Sequence, residues 1–145
     1  MIELKILKIS DDVKVPEYKT PGASGMDLSA YITEPIVLKP LQRALVPTGL
    51  KIELPVGYEA QVRARSGLSI KHGITLINAV GTVDADYRGE IKVGLVNLSD
   101  TEYTVTPGER IAQMVICKVE YPQISVCSEL CGSERGSGGF GSTGK

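Results

Sequence analysis

Tryptophan is absent from the 145 residues, phenylalanine and histidine occur once each, and cysteine occurs three times. The single histidine, His72, and the cysteines Cys117, Cys127 and Cys131 at a C-x9-C-x3-C spacing match no zinc ligand pattern. The odd number of thiols reads as reduced and structural, with Cys117 continuing the apolar run IAQMVIC into the core. No sign of charge dominates either: 16 Lys and Arg against 17 Asp and Glu leave a net charge of -1, which excludes a broad electrostatic footprint for duplex nucleic acid or an anionic membrane. No apolar run approaches the ~18 residues of a membrane span. The N-terminal MIELKILKIS alternates charge with apolar residues where a signal peptide is continuously apolar. These absences predict a soluble, cytoplasmic protein in which any anionic ligand is held by local geometry.

What is present is period-2 alternation. The length suits one domain able to bury roughly two-thirds of the surface its unfolded chain exposes. In YEAQVRAR, Tyr58, Ala60, Val62 and Ala64 share one face, and Glu59, Gln61, Arg63 and Arg65 the other. LKIEL (50–54) and EIKVGLV (90–96) repeat the pattern, and TEPIVLKP, RALVPTG and TEYTVTPGERIAQMVI are β-rich runs bounded by proline and glycine. Many short strands at close spacing predict an all-β sandwich or barrel. One brief helix is expected in SGLSIKHG, with Ser66 as N-cap and Gly73 as the stop. The apolar pattern ends near residue 128, dividing the chain into a β domain over 1–127 and a glycine-rich, mobile arm over 128–145.

Five stretches could carry chemistry. RARSGLSIKHG (63–73) brings a guanidinium, a hydroxyl and a close-approach glycine to a helix start, and reads as an anion site or as an ordinary capped turn. INAVGTVDADYRGEIKV (77–93) reads as a hairpin in which a partly buried Asp84 would serve as a base, or in which DADYRGE is only a solvated tip. PGASGMDLSA delivers Asp27 into a strand, and PGERIAQMVI sets polar Gln113 among apolar neighbours. The tail segment GFGSTGK satisfies G-x-x-x-x-G-K, yet the strand before it and the helix after it that a P-loop requires are missing. Its Gly, Ser and Thr residues, with Arg135 upstream, suit either a phosphate-binding arm or a solvated tail.

Taken together, ASGMDL (23–28), RSGLSIKHG (65–73), NAVGTVDADYRGEI (78–91), GERIAQM (108–114) and RGSGGFGSTG (135–144) resemble, in order and spacing, the five motifs of the trimeric dUTP pyrophosphatases (dUTPases). The resemblance implies a jelly-roll-like β-barrel forming a homotrimer. Each active site would take motifs one, two and four from one chain, the third from a second and the arm from the third. It implies that Asp84 is the catalytic base and also touches the sugar 3′-hydroxyl. Asn78 would contribute to base recognition, Val83 would be among the substrate-binding residues, and Tyr87 would pack under the deoxyribose. Arg65, Ser66, Gly67 and Gln113 would hold the triphosphate, Mg²⁺ would bridge its oxygens, and Asp27 would bind the metal's water shell. In the arm, Phe140 would close over uracil while Arg135, Gly141, Ser142 and Thr143 cover the phosphates. Ser69 stands where the family commonly has alanine, and Cys127 and Cys131 lie in the loosely patterned linker before the arm.

Two rival functions share these residues. A dCTP deaminase of the same superfamily has the barrel and the trimer, but lacks such a Phe-containing arm and uses a glutamate that has no counterpart identified here. A non-catalytic nucleotide sensor would use the same pocket to bind partners, against which the intact Asp84, Arg65 and arm argue.

Overall fold

A computed structural model describes residues 2–139. Along the chain run β1 (Lys5–Lys8), β2 (Met26–Ser29), β3 (Ile36–Leu38), β4 (Arg43–Pro47), β5 (Leu50–Glu53), β6 (Tyr58–Arg63), α1 (Ser66–His72), β7 (Ile74–Leu76), β8 (Gly81–Val83), β9 (Lys92–Asn97), β10 (Tyr103–Val105) and β11 (Arg110–Lys118). The described residues are therefore mostly β with one short helix. The strands fall into four antiparallel sheets, ordered β2-β11-β6-β8, β4-β9-β7, β1-β5 and β10-β3. A single closed barrel, expected from the resemblance, is not formed by these ladders. Most strands run only three to six residues, and the Pro and Gly residues between them interrupt the pairing.

The alternation read from YEAQVRAR holds in β6, where Ala60 and Val62 are buried and Glu59, Gln61 and Arg63 are not. It fails in β9, whose last three residues, Leu95, Val96 and Asn97, are all buried. Inward positions of the two larger sheets, among them Leu28, Ala60, Met114, Val46, Ile74, Val93 and Leu95, belong to one core cluster. Each fully buried Leu or Ile there contributes roughly 1.5–3 kcal/mol over its exposed state.

GTVDADYRGEIKV is not a simple hairpin: β8 pairs with β6 in the four-stranded sheet, whereas β9 pairs with β4 and β7 in another. The charged centre is thus a crossing between sheets, because Val83 pairs with Ala60 of β6 and Val93 with Val46 of β4. Ser66 is not the N-cap of α1 but its first helical residue. Arg65 occupies the cap in an extended conformation (φ -92°, ψ 128°), and no side chain caps it.

Gly73 ends α1 as expected, in the left-handed conformation at φ 67°. A Cβ there would also lie 2.8 Å from the Ser99 backbone nitrogen, so the helix stop is seated directly on the 97–101 turn. That turn is fixed by the buried Asn97 side chain. Its Nδ2 donates to the carbonyls of Leu38 and Thr101, both at 2.8 Å, and its Oδ1 accepts from the Ser99 backbone at 2.9 Å. All its polar atoms are partnered, so the residue specifies the turn without an unsatisfied-group penalty. The start of α1, with Ser66 and Gly67, inherits that placement.

Candidate active site

The four-stranded sheet gathers three of the sequence-predicted stretches in one row. Gln113 of β11 lies opposite Asp27 of β2 on one side and Arg63 of β6 on the other. Residues directly opposite in a sheet share a face, and the reverse face of the same strands carries buried Met26, Leu28, Val62, Ala112 and Met114. Arg65 stays extended just beyond β6, so it keeps the side of Arg63 and reaches Asp27.

The contacts that result form a closed set. Arg65 donates from Nε to Asp27 Oδ1 at 3.0 Å, and from Nη1 to the Arg110 carbonyl at 2.9 Å. Arg110 donates from Nη1 to Asp27 Oδ2 at 2.9 Å. Gln113 Nε2 donates to the Ala64 carbonyl at 2.9 Å. Ser66 and Gly67, at the start of α1, are exposed beside this group. Behind it, Glu109 accepts from the Thr106 backbone nitrogen at 2.9 Å and from the Tyr103 hydroxyl, pinning the turn that leads into β11. Burial first and the hydrogen bond to Glu109 second push the Tyr103 phenol well above its ordinary range.

Asp84, Tyr87 and Val83 stand elsewhere. Val83 lies opposite Ala60, near the start of β6. Asp84 follows it and is exposed, not partly buried as the sequence context suggested, because the chain leaves the sheet at that point. It borders two clefts, one of about 600 Å³ with Tyr58, Glu59 and Tyr121, the other of about 280 Å³ with Leu45, Thr82, Tyr87 and Lys92. Tyr87 is 45% exposed, donates its hydroxyl to the Glu90 carbonyl at 3.1 Å, and turns its backbone nitrogen to the Asp84 carbonyl at 3.1 Å. Asn78 is exposed ahead of β8, at the end opposite Asp84. Arg135 is exposed after the last strand, its Nε donating to the Gly138 carbonyl at 2.7 Å. Phe140, Gly141, Ser142 and Thr143 lie outside the described residues.

Within one chain these two groups of residues are spaced apart. Ala60, opposite Val83, and Arg65 are five residues apart along nearly extended chain, which is about 16 Å. The carboxylate of Asp84 and the guanidinium of Arg65 therefore sit towards opposite ends of β6.

Among the described residues no group of three or more His, Cys, Asp or Glu side chains could cage a metal. Asp27 is the carboxylate of the arginine cluster, and each of its oxygens meets one guanidinium while keeping a second lone pair. This donor set fits Mg²⁺ only when phosphate oxygens and water supply the direct ligands and Asp27 accepts from that water.

Three contributors escaped the sequence reading. A Cβ on Gly25 would lie 2.5 Å from Gln113 Oε1, so only glycine admits that carboxamide in its present position. A Cβ on Gly89 would overlap the Tyr87 ring. Arg110 completes the charge set around Asp27. All three stand inside the quoted motifs, but alternation alone attaches no role to them.

No helix among the described residues is long and apolar enough to cross a membrane. The dUTPase family model matches residues 11–144. The chain is 62% identical over 142 residues to the deoxyuridine 5'-triphosphate nucleotidohydrolase of Cytophaga hutchinsonii, covering 98% of this chain and 92% of that protein. It is 54% identical over 144 residues to the protein of the same name from Fusobacterium nucleatum, covering 99% and 98%. In three dimensions it resembles the dUTPase of Staphylococcus bacteriophage 80alpha solved with dUPNHPP, at a TM-score of 0.89 and 27% identity over 99% of each chain. Motif order, sheet arrangement and nearly full-length identity converge, and the chain belongs to the dUTPase family.

Proposed function

We propose that the protein hydrolyses dUTP to dUMP and pyrophosphate, at sites shared between the subunits of a homotrimer. The observation that carries the activity is identity above half over nearly the whole chain to enzymes of that name. It is supported by the convergence of Asp27, Arg65 and Gln113 at one end of the sheet. The removal of uracil nucleotide from the DNA precursor pool follows from the reaction.

The trimer is supported by the separation just described. A base and a phosphate clamp held at opposite ends of β6 would meet at one scissile phosphate if they came from different chains. Exposed apolar Leu45, Ile77, Val80 and Leu98 supply surface for such an association. In each shared site, Arg65, Ser66, Gly67 and Gln113 of one chain would hold the triphosphate. Asp84 of a second would orient a water and take its proton as the water attacks the α-phosphorus in line. The ring of Tyr87 would leave no room for a 2′-hydroxyl, and Asn78 and Val83 would line the base pocket. The arm of the third chain, 128–145, would bring Arg135, Gly141, Ser142 and Thr143 to the phosphates and Phe140 over uracil. Mg²⁺ bound with the triphosphate supplies charge neutralisation for the leaving pyrophosphate.

The deaminase reading is not favoured, since the full-length relatives above are nucleotidohydrolases. The decisive assay is pyrophosphate release from dUTP, UTP, dTTP and dCTP, with and without Mg²⁺, alongside ammonia release from dCTP. Turnover confined to dUTP is expected. Ammonia from dCTP, or binding of dUTP without turnover, would overturn the reading in favour of the deaminase or the sensor.

A further inference from the structure

The two strands that frame Asp27 contain an irregularity that ordinary sheet pairing does not require. β11 and β2 are in register at Ala112 opposite Leu28, Gln113 opposite Asp27 and Met114 opposite Met26, but Arg110 then lies opposite Ser29, so Ile111 is an extra residue. In an unbroken strand Arg110 would share the side of Ala112 and Met114, which is the core side. The bulge resets the alternation: Ile111 and Ala112 are both buried in succession, and Arg110 emerges on the face of Ser29 and Asp27. Bulges re-aim single side chains in this way, and they gather beside active sites.

The side chain thus redirected does one identifiable thing. Its guanidinium holds Asp27 Oδ2 at 2.9 Å, and Asp27 Oδ1 holds Arg65 Nε at 3.0 Å. The backbone carbonyl of the same Arg110 holds Arg65 Nη1 at 2.9 Å. With Nε and one Nη1 proton committed, the plane of the Arg65 guanidinium is set, and three of its five donors remain for an anion. A rigid fork oriented beforehand binds phosphate without first losing rotamer freedom.

We propose that Arg110 is a positioning residue: through Asp27, and by virtue of the bulge at Ile111, it orients Arg65 for the triphosphate. This rests on the dUTP-hydrolysing function proposed above and adds a residue and a route of action to it. Arg110 itself makes no phosphate contact in this scheme. Asp27 has a task that precedes any metal, namely to hand the orientation from one arginine to the other.

The test is a double-mutant cycle on the full-length protein with dUTP as substrate. Arg110→Ala should raise KM about tenfold, the equivalent of ~1.4 kcal/mol, with a smaller change in kcat. Arg110→Lys, which keeps a point charge on Asp27, should recover part of the loss. In an Asp27→Asn background, Arg110→Ala should raise KM less than twofold, because the intermediary is already gone. If Asp27→Asn does not fold, Arg65→Lys provides the same background, since a lysine has no fork to orient. An equal rise in KM in both backgrounds would mean that Arg110 acts directly on ligand, and an unchanged KM accompanied by a fall in Tm would reduce it to a structural residue. Either result overturns the proposal. A wild-type protein that does not hydrolyse dUTP would instead defeat the functional reading, so the two failures are distinguishable.

Discussion

The two ends of β6 are built differently. At its C-terminal end the arginine cluster is tied together within the chain: Asp27 holds both Arg65 and Arg110, and Gln113 is tied to the Ala64 carbonyl. At its N-terminal end Asp84 and Tyr87 are exposed and open clefts surround them. The difference teaches that the residues proposed to hold phosphate are already oriented by a single fold, while those proposed as base and sugar contact are presented outward. A like-charged guanidinium pair needs a carboxylate already in place, whereas a general base must stay reachable by water and by substrate.

The sharpest way to break this comparison is complementation. Asp84→Asn should lower kcat by at least ~10²-fold, the scale expected when a positioned base is lost, and Arg65→Ala should be comparably impaired. Unfolded and refolded together in equal amounts, the two inactive proteins should regain about a quarter of wild-type turnover, because random assembly gives that share of sites an intact Arg65 from one chain and an intact Asp84 from another. No recovery would mean that both groups of a site belong to one chain.

Two glycine substitutions should separate the ends by their kinetic signatures. Gly25→Ala would displace the Gln113 carboxamide and its hydrogen bond to Ala64, raising KM for dUTP roughly fivefold, since such a bond is worth about 1 kcal/mol, without changing selection against UTP. Gly89→Ala would displace the Tyr87 ring, and the ratio of kcat/KM for dUTP over UTP should fall by roughly tenfold, in line with the ~1–3 kcal/mol that steric selection commonly supplies. Interchanged signatures would undo the assignment of phosphate and sugar to these ends.

The smallest effect on activity is expected at Tyr103, behind the cluster. Tyr103→Phe removes the hydroxyl that binds Glu109 and should cost about 1–2 kcal/mol of stability at neutral pH, as a partly exposed hydrogen bond to a charged group. The folded phenol titrates above its unfolded value near pH 10, so its contribution is complete below about pH 10 and declines as pH rises towards the folded value. Denaturant titrations of the two proteins should differ by a constant amount from about pH 7 to 9 and converge above about pH 10. A gap that widens in alkali would contradict the raised phenol.

Much of the site was legible before the structure because its components are local. Arg65 at the end of an alternating strand, Gly73 as a helix stop and Gln113 in an apolar run are each visible in a window of a few residues. Asp84's exposure and the crossing of residues 84–91 between sheets were not, since they depend on which distant strands accept β8 and β9. Arg110 was missed for a related reason: strict period-2 reading puts it with the core residues, and only pairing with β2 reveals the inserted Ile111.

The sequence by itself determined the strand-forming runs, most inward and outward faces, the helix stop and the family to which the chain belongs, because backbone preference, side-chain period and motif spacing are carried along the chain. The tertiary structure decided the row that joins Asp27, Gln113 and Arg63, the bulge that turns Arg110 outward, and the distance that parts Arg65 from Asp84. Those features are set by hydrogen-bond register between strands far apart in sequence, and a shift of one residue in that register reverses every face it touches.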